Sequence, residues 1–583
     1  MTTLWGPVAR PGGGTRFRLW APDSDAVLLE VEGQAPIPMA AQAQGWFTLD
    51  APVGEGARYR FRVSPGLVVP DPASRAQAGG VHGASVLTDL ATFSWRHDEW
   101  QGRPWHEAVI YEVHAGAMGG FEGVREALPR LKALGVTAIE LMPVAEAPGA
   151  RGWGYDGVLP FAPHAALGSP QDLQALVDAA HGEGLMVLLD VVFNHFGPDG
   201  AYLHAYAKRF FDEGVHTPWG AAINFAEPAV RAYFEECALH WLRDYRFDGL
   251  RLDAVHAIPD ADWLDHLARR IRAELPGRHI HLVLENERNA ARHLAPDGPF
   301  DAQWNDDGHN ILHPLLTGER EGYYEDFAED GAAKLATVLG QGFLFQGQHS
   351  AHLGATRGEP SAHLPPTAFV LFLQNHDQVG NRAFGERLPA LADPEALAAA
   401  TALLLLCPQI PLLFMGEEWG ATSPFLFFTD HNAELAPLVR EGRRREFARF
   451  AAFADPAMRA RIPDPNDATT FTASIPDVAE AAREPHATVL ALYKHLLGLR
   501  HARIIPHLPG ARALGAEAVG EKAVLARWRL SNQEELTLAC NLGEAPAACT
   551  ARGALLFEGR EGAAAALAAG TLPARTTVAL LGA

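Results

Sequence analysis

Lysine is scarce in this chain of 583 residues: only five of its 48 basic residues are Lys, at 132, 208, 334, 494 and 522. Arg and Ala dominate instead, as codon bias in a GC-rich genome would produce. Acidic residues number 70, so the formal net charge is −22. A polyanion needs a basic footprint, and no basic stripe or tail is present, which argues against nucleic acid and anionic membrane as partners. Cysteine is sparse too. Cys237, Cys407, Cys540 and Cys549 form no C-x-x-C pair, so neither a zinc site nor a dithiol redox motif is expected. Long apolar runs are missing. The longest, Ala396 to Cys407, is interrupted by Thr401 and closed by Pro408, well short of the roughly 20 residues that span a bilayer. It reads as a buried helix. The opening Met1-Thr-Thr-Leu-Trp-Gly6 has no charged segment followed by an apolar one. A soluble, cytoplasmic protein is expected.

What is present is ordinary globular material, 48% hydrophobic and 20% charged, which rules out disorder as the main state. The first hundred residues read as β. Arg58-Tyr-Arg-Phe-Arg-Val63 alternates strictly, with Tyr59, Phe61 and Val63 on one face. Gly and Pro clusters punctuate such runs, so a β-sandwich is expected over residues 1–92. Apolar runs then alternate with amphipathic helical stretches. They begin at Ala108, Thr137, Leu185, Gly249, His281, Ala302, Phe369 and Ile410. Eight strands alternating with helices predict an α/β fold, a closed (β/α)₈ barrel over 93–504. Short β runs return near Ala523, Leu536 and Thr577, giving a C-terminal antiparallel β domain over 505–583.

Active sites of such barrels form at the C-terminal ends of the strands. Several of these ends are acidic: Asp190, Asp253, Glu285-Asn286 and Asn375-His-Asp377. A carboxylate after an apolar run is costly to bury unless paired or used. Four strands doing so, with Arg251, His195 and His376 nearby, point to chemistry. Divalent-metal binding, acid/base work and glycoside cleavage all fit. In the last, one carboxyl protonates the leaving oxygen and a second faces the anomeric carbon. Arg251 shares a strand face with Asp253 and points into the same mouth.

Phe247-Asp-Gly-Leu-Arg-Leu-Asp253, Asp190-Val-Val-Phe-Asn-His195, Leu284-Glu-Asn286 and Gln374-Asn-His-Asp377 resemble the four signature regions of the α-amylase superfamily, glycoside hydrolase family 13. Order and spacing both match. Phe17-Arg-Leu-Trp-Ala-Pro22 resembles the N-terminal early-set module of isoamylases and branching enzymes. The resemblance implies a retaining glycoside hydrolase. Asp253 would be the nucleophile, Glu285 the general acid and then base, and Asp377 the holder of the sugar 2- and 3-hydroxyls. Arg251 would orient Asp253. His195 and His376 would hydrogen-bond the same sugar, and Tyr155, beside Trp153 and Asp156, would stack beneath it.

Further stretches resemble one branch of that superfamily: Thr217-Pro-Trp-Gly-Ala-Ala-Ile-Asn-Phe225, Leu252-Asp-Ala-Val-His-Ala-Ile258, Trp304-Asn-Asp-Asp-Gly-His309 and Pro424-Phe-Leu-Phe-Phe-Thr-Asp-His431. That branch cleaves the α-1,4 bond beside the terminal α,α-1,1-linked trehalose of a maltooligosyltrehalose. Its substrate is a neutral α-glucan, formed by a separate synthase with no physical complex implied. His256, Trp219, Asn224, Phe428, Asp430 and His431 are the substrate-binding candidates from these stretches. No cofactor is implied. No metal is expected either, because the segment from Asn194 to Phe225 lacks a dense run of oxygen ligands. Two other readings share these features: an α-glucan branching enzyme, and a non-catalytic glucan-binding barrel. The second conflicts with the presence of all three carboxylates.

Overall fold

The eight apolar runs become β1 (Ile110–Val113), β2 (Ala138–Leu141), β3 (Met186–Val191), β4 (Gly249–Leu252), β5 (His281–Leu284), β6 (Ala302–Trp304), β7 (Phe369–Phe372) and β8 (Ile410–Phe414). They pair in parallel in chain order, and β8 closes back on β1. The structure, a computed structural model, describes residues 4–64, 66–296 and 298–582. Helices cover the outside. The first, α1 (Gly120–Leu134), buries Phe121, Val124, Leu128, Leu131 and Leu134, one stripe at helical spacing. The second, α2 (Pro170–Gly182), starts at a capping box in which Ser169 and Asp172 satisfy each other's backbone N–H groups. Among the described residues, no helix is long and apolar enough to cross a membrane.

Alternate residues of a strand share a face. Ile110, Ala138, Leu188, Val283, Trp304, Phe372 and Leu412 belong to one buried cluster that fills the barrel. Two residues further toward the C-terminal mouth, the same faces carry Glu112, Glu140, Asp190 and Glu285. Arg251 stands two beyond Gly249. One side-chain column therefore changes from hydrocarbon to charge within a single strand repeat.

The N-terminal region forms two antiparallel sheets. Phe17, Leu19, Leu29, Val31, Tyr59, Phe61 and Val63 fill the space between them. Trp5 fixes this unit to the barrel. The backbone N–H groups of Leu4 and Trp5 donate to the Glu236 carboxylate, and the Trp5 indole donates to the Ala229 carbonyl. Both acceptors lie on α3 (Pro228–Asp244). At the other end, a five-stranded antiparallel sheet spans residues 512–582. It packs on α4 (Pro394–Leu406), the apolar run read as a buried helix. The Thr577 hydroxyl donates to the Ala399 carbonyl at 2.8 Å. Three insertions rim the barrel mouth: hairpin 211–223, hairpin 346–358 and a helical segment containing Leu435–Phe447.

Candidate active site

Arg251 is 1% exposed and organises the mouth. Its Nη1 donates to both oxygens of Asp190, at 3.0 and 2.8 Å, and to Asp253 Oδ1 at 2.6 Å. Its Nη2 stands 3.9 Å from Glu285 Oε2. The guanidinium lies 4.2 Å above the Trp304 ring. Asp190 and Arg251 are direct partners across the β3–β4 ladder, so strand register alone sets this pair. Asp190 anchors the arginine that Asp253 and Glu285 share.

Ala254, directly after Asp253, has φ +42, a region disfavoured for any residue with a Cβ. Its N–H donates to Glu285 Oε2 at 2.5 Å. The strained turn thus ties the carboxyl at the end of β5 to the residue that follows Asp253. Burial pushes the Glu285 carboxyl well above the usual range. Arg251 pulls it down, whereas Asp253, Asp306 and Asp377 push it further up. Asp306 was missed from sequence. It follows β6, lines the same cavity, and is raised to about 7, mainly by burial. The segment before it, Ala302-Gln-Trp-Asn305, is interrupted by polar residues, so Asp306 does not close an apolar run as the other strand-end acids do.

His376 and Tyr155 pack together beside Asp190. The Tyr155 hydroxyl donates to Asp190 Oδ2 at 2.6 Å and lies 2.8 Å from His376 Nε2. The two rings stack, with centroids 5.1 Å apart. Trp153 is buried behind them, edge-on to His376, its indole donating to the Leu426 carbonyl. Between Trp153 and Tyr155, Gly154 has φ +98 and passes so close to the Pro143 carbonyl that a Cβ would lie 2.0 Å from its oxygen. Only glycine permits this turn. His195 Nε2 bonds the Tyr155 carbonyl, and its ring stacks on Trp219 at 4.5 Å. Trp219 is 47% exposed at the tip of hairpin 211–223. Burial lowers the pKa of His195.

A cavity of about 840 Å³ opens from this cluster and is lined by Glu285, Asp377, His256, Asp306, Arg357 and Tyr323 among others. Phe447, Phe450 and Phe453 form its far wall. Asp377 is half exposed there and accepts from the Asn381 amide. His256 Nδ1 accepts weakly from the Glu287 N–H at 3.4 Å.

Several expected sugar contacts lie elsewhere. Phe428 is fully buried against His114, Phe425 and Phe471. Its neighbour Phe427 packs instead on Trp153 and under Arg443. Asn224 closes a local turn, donating to the Arg209 carbonyl and accepting from Ala226 N–H, beside a separate depression. Asp430 pairs with Arg151 at 2.6 Å and caps Ala150 N–H. His431 stands 3.6 Å from Asp156. Asp156, Asp430 and His431 line a small cavity with His114. They join the loop carrying Trp153 and Tyr155 to the loop after β8. The expectation that Phe428 meets the sugar is corrected, because its ring is buried in the core; Asn224 and Asp430 are not among the residues that line the large cavity.

A closed parallel barrel with acidic groups clustered around one arginine at its C-terminal mouth defines the class, a glycoside hydrolase of the α-amylase family. The family model "Alpha amylase, catalytic domain" matches residues 97–216 and "Domain of unknown function (DUF3459)" matches 511–579. A putative alpha amylase from Salmonella typhimurium has a similar solved structure, with TM-score 0.94 and 43% identity covering 100% of both chains. The malto-oligosyltrehalose trehalohydrolase of Deinococcus radiodurans is 44% identical over 87% of this chain and 84% of its own length. That of Arthrobacter ramosus is 42% identical over 86% and 89%. This chain belongs to the malto-oligosyltrehalose trehalohydrolase family. A 1,4-alpha-glucan branching enzyme from Bordetella parapertussis matches more narrowly, at 35% identity over 46% of this chain and 40% of that one.

Proposed function

We propose that the chain hydrolyses the α-1,4 bond beside the terminal trehalose of a maltooligosyltrehalose, with retention. Asp253 attacks the anomeric carbon and forms a glycosyl-enzyme. Glu285, kept protonated by its buried position, gives its proton to the leaving trehalose oxygen. It then takes a proton from the water that releases the maltooligosaccharide. Asp377 and His376 hold the sugar whose bond breaks, and His195 and Tyr155 complete that wall. One observation carries the reading: a single buried guanidinium reaches Asp253 at 2.6 Å and Glu285 at 3.9 Å. A nucleophile and an acid held by one group have the proximity that a double displacement requires.

The aromatic wall of Phe447, Phe450 and Phe453 bounds the cavity, which suits a terminal unit better than a continuous chain. The substrate is neutral and needs no cationic steering, in keeping with the −22 charge. We also infer a cytoplasmic setting, in which the four buried free cysteines stay reduced. A synthase that builds maltooligosyltrehalose must act first. Incubation with maltotriosyltrehalose tests the reading: trehalose and maltotriose are expected. Absence of free trehalose sinks it, and new α-1,6 branches from amylose favour a branching enzyme instead.

A further inference from the structure

Beneath the sugar-facing wall lies an acid that the reaction does not itself use. Glu112, on β1, is 1% exposed. One of its oxygens accepts the backbone N–H of His376 at 2.9 Å, and the other faces His376 Nδ1. The far ring nitrogen, Nε2, meets the Tyr155 hydroxyl at 2.8 Å. That hydroxyl meets Asp190 Oδ2 at 2.6 Å. Both oxygens of Asp190 accept from Arg251.

A tyrosine hydroxyl has one proton. Asp190 faces donors at both oxygens and acts as an acceptor, so the Tyr155 proton points at Asp190. Toward His376 the hydroxyl can only accept, so Nε2 must carry a hydrogen. Nδ1 faces a Glu112 oxygen, and opposite a Glu112 carboxylate it carries one too. The ring is then a donor at both nitrogens, an imidazolium.

We propose that Glu112 is a positioning residue that holds His376 as an imidazolium, with its Nε2–H donated to the Tyr155 hydroxyl at the sugar-binding wall. An unbroken line then runs from Glu112 through His376, Tyr155, Asp190 and Arg251 to Asp253, with charges alternating in sign among its ionised members. The groups facing His376 agree. Glu112, Asp190, Asp377 and, across the β1–β2 ladder from Glu112, Glu140 surround it, with Arg251 and Tyr155 opposite. His114 is a more distant neighbour, and burial holds it low, at about 4, so it adds no competing charge near neutrality. Burial opposes charge on His376 as well, but Glu112 and Asp377 outweigh it and raise the ring to about 9.

Glu140 is the counterpart of this arrangement. It is 1% exposed, and neither of its oxygens has a hydrogen-bond partner. Burial, with Glu112 and Asp190 beside it, pushes it well up. A second carboxyl kept neutral leaves a single negative charge behind the histidine.

The proposal rests on His376 facing the sugar, and its test separates the two ideas. The ¹⁵N resonances of the His376 ring, assigned with His376→Gln and recorded without substrate at about pH 7.5, should show both nitrogens protonated. A neutral ring there overturns the proposal, whatever the enzyme cleaves. Glu112→Gln keeps the shape and removes the anion, and should lower the ring's pKa below neutrality. Its deficit in kcat/KM against wild type should widen from a few-fold near pH 5.5, where the ring regains its proton, to at least about tenfold near pH 8. Glu112→Asp should restore the wild-type profile in part. A Glu112→Gln deficit that is equal at every pH means that Glu112 only packs, and defeats the idea. If that variant does not fold, the wild-type ring spectrum and the Glu112→Asp profile decide.

Discussion

The interior of the barrel holds two regions on the same strand faces, one above the other. The lower is hydrocarbon: Ile110, Ala138, Leu188, Val283 and Phe372. The upper, two residues along, is Glu112, Glu140, Asp190, Arg251 and Glu285. Both are buried. In the lower region burial is itself the stabilising term, about 25 cal/mol per Å² of apolar surface. In the upper region burial is a cost, offset only where charges meet within hydrogen-bond distance. The scaffold and the chemistry are thus separated along each strand rather than between domains, and substitutions in each region should behave differently.

The largest effect belongs to the upper region. Glu285→Gln should lower kcat for trehalose release by about 10²–10⁴-fold, while thermal melting stays about equal, because a neutral amide replaces an acid already held neutral. A loss of stability matching the loss of activity would erase the distinction between regions. Arg251→Met should harm both properties: it leaves Asp190 and Asp253 without their cation and should cost about 3–5 kcal/mol in denaturant titration. Leu188→Ala, one layer down, should cost about 2–5 kcal/mol with near-normal kcat at low temperature. A large kcat defect there would show that the layers are not independent.

Glu140→Gln sharpens the comparison through pH. Glu140 ionises more readily in the unfolded chain than when buried. Its contribution to wild-type stability is therefore full below the ordinary glutamate range and is lost as pH rises toward the raised folded value. Relative to wild type, Glu140→Gln should gain stability by up to about 1.4 kcal/mol per pH unit across that window and match it at low pH. Melting curves from pH 4 to 8 decide; parallel curves for the two proteins would contradict the neutral-acid assignment. The smallest effect is outside the barrel. Trp219→Ala should change melting by no more than about 0.5 kcal/mol and reduce kcat/KM by about tenfold or less, since the exposed ring offers only stacking area.

The architecture was legible because it rests on patterns that a chain displays locally. Eight apolar runs separated by helical stretches gave the barrel, and strict alternation from Arg58 to Val63 gave a sandwich strand. The residues around Arg251 were legible for the same reason: acids ending apolar runs are conspicuous. Glu112 and Glu140 were not, because they stand inside the runs, at positions where only the ladder between β1 and β2 reveals that they share a face. Phe428 and Asp430 misled because an aromatic or acidic residue on a mouth loop has two sides to choose from. Which side it takes depends on Phe471 and Arg151, contacts made across the fold. Loop inserts such as hairpin 346–358 are mostly exposed, burying only Ser350 and Arg357 of their strands, and left no periodic trace.

Helix α4 has a consequence for how this protein can be divided. It is apolar nearly all round, with Ala399–Leu406 buried throughout. One side meets the barrel and the other the C-terminal sheet, through Ala399 and the strands bearing Thr577 and Cys540. A helix with no solvent side cannot belong to one unit alone. Removing the C-terminal sheet would expose an apolar side of a barrel helix, so the boundary between these two parts is a shared wall and neither is expected to fold cleanly when cut from the other.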